Sequence, residues 1–391
     1  MSLTYRSFLF QQTGYGLAAH QDILSLADAG ADFKTSSLTP SVYQDGIFGR
    51  SQDAAKARHD PNAWKDSDTV LYRSIPTDAI APFWRGRSDS FQVRANRVQK
   101  LGLFTVFESP VWPKGWRVAA NAYDGLSVPA GWLALAAREA GVEVPIHVIP
   151  HALEFPDKAP EPALPKCEAW WEAPIGDERI KVLCEGTYML RKNIPAVVEA
   201  FYRAFNPLEA VLLIHTHYFK PVHKYLLMGE LREVRERLKI RHAPPVLISD
   251  ARLSWDELWS LFSWSTIYCS LAYAEGVGYP LLFAGGLGIP IVCTDHVGHR
   301  NTAPQALFAK SSDRLFESLE PFDPLVKYDN FQIAHIHPED VWRRPDPSDA
   351  AYCLQDAAKV PKDFSFGAAV RIKHDPLVVG KQIKAFAESL G

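Results

Sequence analysis

No stretch of this chain approaches the ~18 apolar residues of a membrane span, and its opening, MSLTYRSFLFQQTGYG, has too short an apolar run for a secretory signal. The sequence therefore predicts neither a transmembrane nor a secreted protein. Cysteine is scarce and scattered: Cys167, Cys184, Cys269, Cys293 and Cys353 are odd in number and lack the paired spacing of a metal site or a disulfide scaffold. Cys184, Cys269 and Cys293 lie in or beside apolar strand-like runs, so they read as buried thiols of a reducing, cytoplasmic compartment. A surplus of one charge is missing too. With a net charge of −3, nothing in the overall balance favours nucleic acid or an anionic membrane, which leaves only local basic patches for peripheral membrane contact. There is no short internal repeat and no low-complexity tract.

What is present is apolar material for two cores: 391 residues, 47% hydrophobic and 12% aromatic. Tyr5–Phe10 reads as a first strand, followed by Thr13-Gly14-Tyr15-Gly16 as a turn and a helical run through Leu17, Ile23, Leu24, Leu26 and Ala27. Strand candidates Thr69–Ile75, Gly102–Phe107, Leu126–Val128 and Ile146–Ile149 follow, with Trp132–Ala140 as a helix. The alternation predicts an α/β domain with a parallel doubly wound sheet over 1–153. Residues 154–175 are rich in proline and acid and read as a linker. Over 176–370 the alternation resumes on a second sheet: strands at Lys181–Cys184, Ala210–His215, Val246–Ser249 and Thr266–Ser270, and helices at Pro195–Phe205, Val222–Ile240 and Trp255–Phe262. Residues 371–391 end the chain in a helix.

The densest pattern is SLAYAEGVGYPLLFAGGLGIPIVCT, Ser270 to Thr294. Glycines free the backbone around Glu275, Pro280 suits the first turn of a helix, Gly288 suits its end, and a β-branched run predicts a buried strand. Amides at a helix start beside a Gly-rich turn form a phosphate seat. A second constellation, Glu185-Gly186-Thr187-Tyr188-Met189-Leu190-Arg191-Lys192-Asn193, puts two cations after a glycine turn, where they suit a departing diphosphate.

These segments resemble the retaining GT-B glycosyltransferases of family 4. Glu275 to Pro290 is similar to the family's Glu-Gly-x-Gly-x-Pro segment and the Gly-x-Pro-Val that follows, with Phe283 in place of its second glutamate. Arg191-Lys192-Asn193 matches the cationic element, while Thr187 stands where many relatives have a first arginine. Val148-Ile149-Pro150-His151 is similar to the hinge turn, with Ala152 for the usual glycine, and Trp342-Arg343-Arg344-Pro345-Asp346 is similar to a Trp-x-x-Pro-Asp near the end of relatives. The resemblance implies two Rossmann-like domains facing each other across a cleft, with the C-terminal helix returning to the N-terminal domain. It implies a metal-independent transfer of hexose from a UDP- or GDP-linked donor to a hydroxyl acceptor, with no cofactor. Glu275, Lys192 and Arg191 would carry the catalysis. Gly14, Gly16, Glu108, Gly186, Asn193, Gly276, Val277, Gly278, Tyr279 and Phe283 would line the donor. The rival reading is a non-catalytic GT-B subunit that binds nucleotide, glycan or a partner, and a weaker one is transfer onto DNA.

Other candidates weigh less. Asp66-Ser67-Asp68 has a metal-type spacing but precedes a strand, so it reads as a turn or cap. Trp84, Arg85, Arg87, Arg94, Arg97 and Lys100 read as a solvated face, and His20 as helix surface. Arg232, Glu233, Arg235, Glu236, Arg237 and Lys239 read as intrahelical pairs. His215, His217 and His223 are not at zinc spacing.

Overall fold

The computed structural model describes residues 2–10, 13–38, 48–77, 97–112, 114–169, 179–218, 220–313 and 342–390. The chain divides into two compact units, Met1–Phe155 with Ala369–Gly391, and Pro156–Ala368.

In the first unit, β1 (Leu3–Ser7), β2 (Lys34–Ser37), β3 (Thr69–Arg73), β4 (Lys100–Phe104), β5 (Gly125–Val128) and β6 (Ile146–Val148) form one sheet in the order β2-β1-β3-β4-β5-β6. Every pairing is parallel. Helices cover both faces of such a sheet, so strand residues are buried throughout and read as near-continuous apolar runs. β1 starts two residues before and ends three residues before the expected Tyr5–Phe10 strand. Helix α1 (Gly14–Asp28) begins inside the expected turn: Thr13 is its N-cap and its hydroxyl accepts from the Gly16 amide at 3.2 Å. The C-terminal helix, Pro376–Ser389, packs against α1 so closely that a Cβ on Gly380 would lie 1.9 Å from the Ser25 carbonyl oxygen. Phe386 meets Phe104 edge to face with centroids 5.3 Å apart, and Val379, Ile383 and Leu390 join the same core.

In the second unit, β8 (Ile180–Glu185), β9 (Ala210–His215), β10 (Val246–Ser249), β11 (Ile267–Ser270), β12 (Ile291–Thr294) and β13 (Leu307–Ala309) are parallel, in the order β13-β12-β11-β8-β9-β10. A short strand β7 (Glu168–Ala169) adds to β10 in antiparallel sense, so part of the segment read as linker is an edge strand of this sheet. Hydrogen bonds from Ser263 Oγ to the Pro160 carbonyl (2.6 Å) and from Ser249 Oγ to the Lys166 carbonyl (2.8 Å) tie down the chain leading to it. Helix Trp255–Trp264 starts on a capping box between Ser254 and Glu257. The charges of Val222–Leu238 are not all paired along their own helix, since Arg237 reaches the Glu199 carboxylate on helix Ile194–Ala204. Among the described residues no helix is long and apolar enough to cross a membrane.

Candidate functional site

In open α/β sheets, ligands bind outside the carboxyl ends of the strands where strand order reverses, because there the flanking loops diverge and leave a crevice. In the second unit that point lies at β8 and β11: β9 and β10 follow β8 on one side, and β11 to β13 lie on the other. The loops leaving β8 and β11 carry the two constellations picked out in the sequence. Three hydrogen bonds to backbone carbonyls help to join them. Arg191 Nη1 donates to the Ala274 carbonyl (2.6 Å), the Tyr273 amide to the Arg191 carbonyl (2.9 Å), and Asn193 Nδ2 to the Leu271 carbonyl (3.0 Å). Arg191 and Lys192 sit on a single 3-10 turn, Leu190–Lys192, and Asn193 takes a left-handed conformation (φ 48°, ψ 45°) to start the next helix. Gly186, at φ 151°, leaves room for the lysine stem, since a Cβ there would sit 3.3 Å from Lys192 Cε.

Glu275 is only 6% exposed. Its Oε1 accepts from Lys192 Nζ, and Arg191 Nη1 lies 3.1 Å from Oε2. Burial alone would raise the carboxyl's pKa, but Arg191, Lys192 and His299 together hold it well below the usual carboxylate range. The Glu275 backbone is fixed from behind: a Cβ on Gly298 would fall 1.7 Å from its carbonyl oxygen. Gly298 belongs to helix Val297–Thr302, which also brings in two buried histidines that nothing in the sequence marked. His299 Nδ1 lies 2.9 Å from the Thr294 carbonyl, so it carries the proton; burial, first of all, pushes the ring down to about 4. His296 caps that helix through Nδ1, which accepts from the Gly298 amide at 3.1 Å, and burial pushes it down to about 3. Both rings are therefore neutral at pH 7. On the other side, Tyr273 stacks on Trp342 (5.9 Å, 23°) and accepts the Arg343 amide at 2.9 Å, so the late Trp-Arg-Arg-Pro-Asp segment braces this loop.

Gly278, at φ 74°, is the N-cap of helix Tyr279–Gly286, with Pro280 in its first turn. Val277 and Tyr279 are buried beside it. Phe283, one turn on, does not face an open site. Its ring is 2% exposed, stacked on Phe262 at 5.0 Å, 4.5 Å from Trp259 and 5.6 Å from Trp255. The expectation that this side chain lines the donor is therefore revised. Three aromatic rings offered it more apolar contact than a solvent-facing position would, and the helix buries it as core.

Gly14, Gly16 and Glu108 belong to the first unit. Gly14 and Gly16 are first-turn residues of α1 rather than a separate loop. Tyr15 between them donates to the Val106 carbonyl (2.9 Å), its hydroxyl pushed up to about 12, chiefly by burial. Glu108 is half-buried on the segment after β4 and adds to the negative field on Tyr15. The carboxyl ends of β1 and β3, where this sheet reverses, hold a buried network. Tyr5 Oη donates to Asp22 Oδ2 (2.5 Å), Arg73 Nε donates to the same oxygen (2.7 Å), and Arg73 Nη1 lies 3.4 Å from His151 Nδ1. His374 Nδ1 donates to the His151 carbonyl (2.6 Å), so the chain entering the C-terminal helix is stapled to the end of the β6 segment. His20 is fully buried rather than on the helix surface, its ring nitrogens 2.8 Å from the Leu9 carbonyl and 3.4 Å from that of Ser51, and stacked on Phe48. Asp68 accepts from the Ser2 amide (2.8 Å), tying the chain before β3 to the chain before β1. Trp84, Arg85, Arg87 and Arg94 lie outside the described residues.

No protein-family model and no curated protein matches the chain. Solved structures do match over its full length. Sucrose-phosphate synthase from Thermosynechococcus elongatus is 13% identical with a TM-score of 0.65, covering 100% of this chain and 99% of that one. Trehalose-6-phosphate from E. coli bound with UDP-2-fluoro glucose is 11% identical (TM-score 0.63, 99% of each chain). Anabaena HepE in complex with UDP and glucose is 14% identical (TM-score 0.58, 100% of each chain). The fold of this chain is accordingly GT-B.

Proposed function

We propose that this protein is a retaining glycosyltransferase that moves a hexose from a UDP- or GDP-linked donor to a hydroxyl acceptor without a metal. The observation that carries the reading is the cluster of Glu275, Lys192 and Arg191, buried on two hydrogen-bonded loops at the strand reversal of the second unit. The same-fold proteins HepE and the E. coli trehalose-6-phosphate protein, solved with UDP and UDP-sugar ligands, support the donor class.

In this reading, breaking the sugar-phosphate bond loads negative charge onto the departing diphosphate. Lys192 and Arg191 compensate it, aided by the backbone amides of Gly276, Val277 and Gly278. Glu275, ionised because of its cationic neighbours, accepts hydrogen bonds from hexose hydroxyls and fixes the ring. Transfer is on the front face: the leaving phosphate oxygen takes the acceptor's proton as the new bond forms, so no protein nucleophile is required. By the same resemblance Gly14, Gly16 and Glu108 also serve the donor. The five free thiols suit a reducing compartment.

A second reading, a GT-B protein that binds without catalysis, is favoured by Phe283, which stands in the sequence where the resemblance puts the glutamate that would hold the ribose, and whose ring is packed as core instead. A panel of UDP-, GDP-, ADP- and TDP-sugars, scored for thermal stabilisation and for slow hydrolysis, separates the two. Stabilisation with hydrolysis by one donor supports the transferase. Stabilisation without hydrolysis, and without transfer to any acceptor tried, favours the binding protein, and a null result across the panel overturns the transferase and the nucleotide-binding form of the second reading.

A further inference from the structure

Both oxygens of the Glu275 carboxylate are committed, one to Lys192 and one to Arg191, and all three side chains are largely withdrawn from water, with exposures of 8%, 15% and 17%. Carboxylate and phosphate oxygens compete for the same N–H donors with the same charge-assisted geometry. Two cations against one carboxylate leave a single net positive charge for a diphosphate carrying at least two negative ones. A diphosphate that takes both cations therefore leaves the carboxylate beside it with no compensation unless its side chain turns away. The Glu275 main chain cannot retreat, because the Gly298 backbone stands against its carbonyl. Only the side chain can swing. Arg191 also donates to the Ala274 carbonyl, a bond that does not involve the carboxylate and so gives the cation an anchor independent of it.

We infer that Glu275 is the resident counter-ion of the diphosphate site: it holds Lys192 and Arg191 in the empty protein, and the incoming diphosphate displaces it, releasing the carboxylate to bind the sugar. This rests on the diphosphate role proposed above for the two cations. The carboxylate stays ionised across the working pH range, so it is an anion, not a neutral acid, that the ligand must displace. The exchange links the two halves of the donor: the carboxylate becomes available for the hexose only after the phosphates are seated. It also gives one substitution opposite effects on two measurements.

The test is calorimetric titration of the full chain with inorganic pyrophosphate and with UDP, comparing the unmodified protein with Glu275→Gln and Glu275→Asp. Gln keeps the shape and removes the competing charge. It should bind pyrophosphate about tenfold more tightly while losing turnover, because the ligand no longer has to displace an ionised competitor from the two cations. Asp keeps the buried charge, and with it the fold, but shortens its reach, and should fall between the two. In the double variant Glu275→Gln with Lys192→Met the gain should vanish. Equal or weaker pyrophosphate binding by the Gln variant, with a native melting profile, overturns the inference even if nucleotide-sugars bind the unmodified protein. Should the Gln variant not fold, an Asp variant that binds no tighter than the unmodified protein overturns it. Tighter pyrophosphate binding with no nucleotide-sugar binding leaves the counter-ion role standing and removes the glycosyltransferase reading.

Discussion

Replacing Phe283 distinguishes a core position from a binding one. The ring is 2% exposed and has three aromatic neighbours with centroids at 4.5, 5.0 and 5.6 Å. Truncating a buried phenylalanine to alanine removes its transfer free energy and leaves a cavity, together about 3–5 kcal/mol. For a folding unit of roughly 200 residues, each kcal/mol moves the midpoint by about 2–4 °C, so Phe283→Ala should lower it by about 6–20 °C. Phe283→Leu fills part of the space and should cost roughly 1–2 kcal/mol. Phe283→Glu should be at least as harmful as alanine, since it buries a carboxyl among aromatic rings. Calorimetric melting and urea titration followed by tryptophan fluorescence measure all three, with Trp255 and Trp259 as reporters in direct contact. The reasoning is refuted if Phe283→Glu melts with the unmodified protein and binds UDP in preference to its 2′-deoxy form. That pair of results would mean that the side chain meets a ligand and that the aromatic cluster contributes no stability.

Lys192→Ala should weaken UDP binding while leaving uridine binding unchanged, because its partner is phosphate; equal weakening of both by calorimetry contradicts the role. Gly298→Ala should abolish turnover and lower the melting temperature, since its Cβ would fall 1.7 Å from the Glu275 carbonyl oxygen; an active, stable variant would show that the loop has room to move. His299 is pushed from 6.5 down to about 4, mainly by burial. Between those values the unfolded chain binds a proton that the folded one does not. Its contribution is therefore complete above ~pH 6.5 and is lost on acidification toward ~pH 4, by about 3 kcal/mol at full effect. His299→Asn should flatten that slope in urea midpoints measured from pH 7 to 4.5, and an unchanged slope counts against the buried neutral ring. Turnover should survive EDTA; strict dependence on added manganese or magnesium contradicts the proposed charge compensation by Lys192 and Arg191.

Much of the fold was written locally. β-branched and apolar runs bounded by glycine, proline and capping residues mark strands and helices because each needs only its own period and its own ends. The Gly278 turn and the Pro280 helix start were legible for the same reason: a positive φ and a proline-started helix are properties of consecutive residues. What the sequence could not decide was which side chains meet across elements. Glu275 and Lys192 are 83 residues apart, and their pairing exists only because β8 and β11 are neighbours in the sheet. His296, His299 and the Gly298 contact were invisible, since a histidine beside a short helix carries no mark of the carboxylate it will face. Phe283 went from an expected donor contact, and His20 from an expected surface position, to burial because helical position alone does not tell which neighbouring element will cover a side chain. Three aromatic residues from helix Trp255–Trp264 settled the first, and the Phe48 ring with two backbone carbonyls settled the second. Local periodicity fixes elements because its energetics are short-range in sequence; the charge balance of a buried site depends on groups that only chain topology brings within 4 Å.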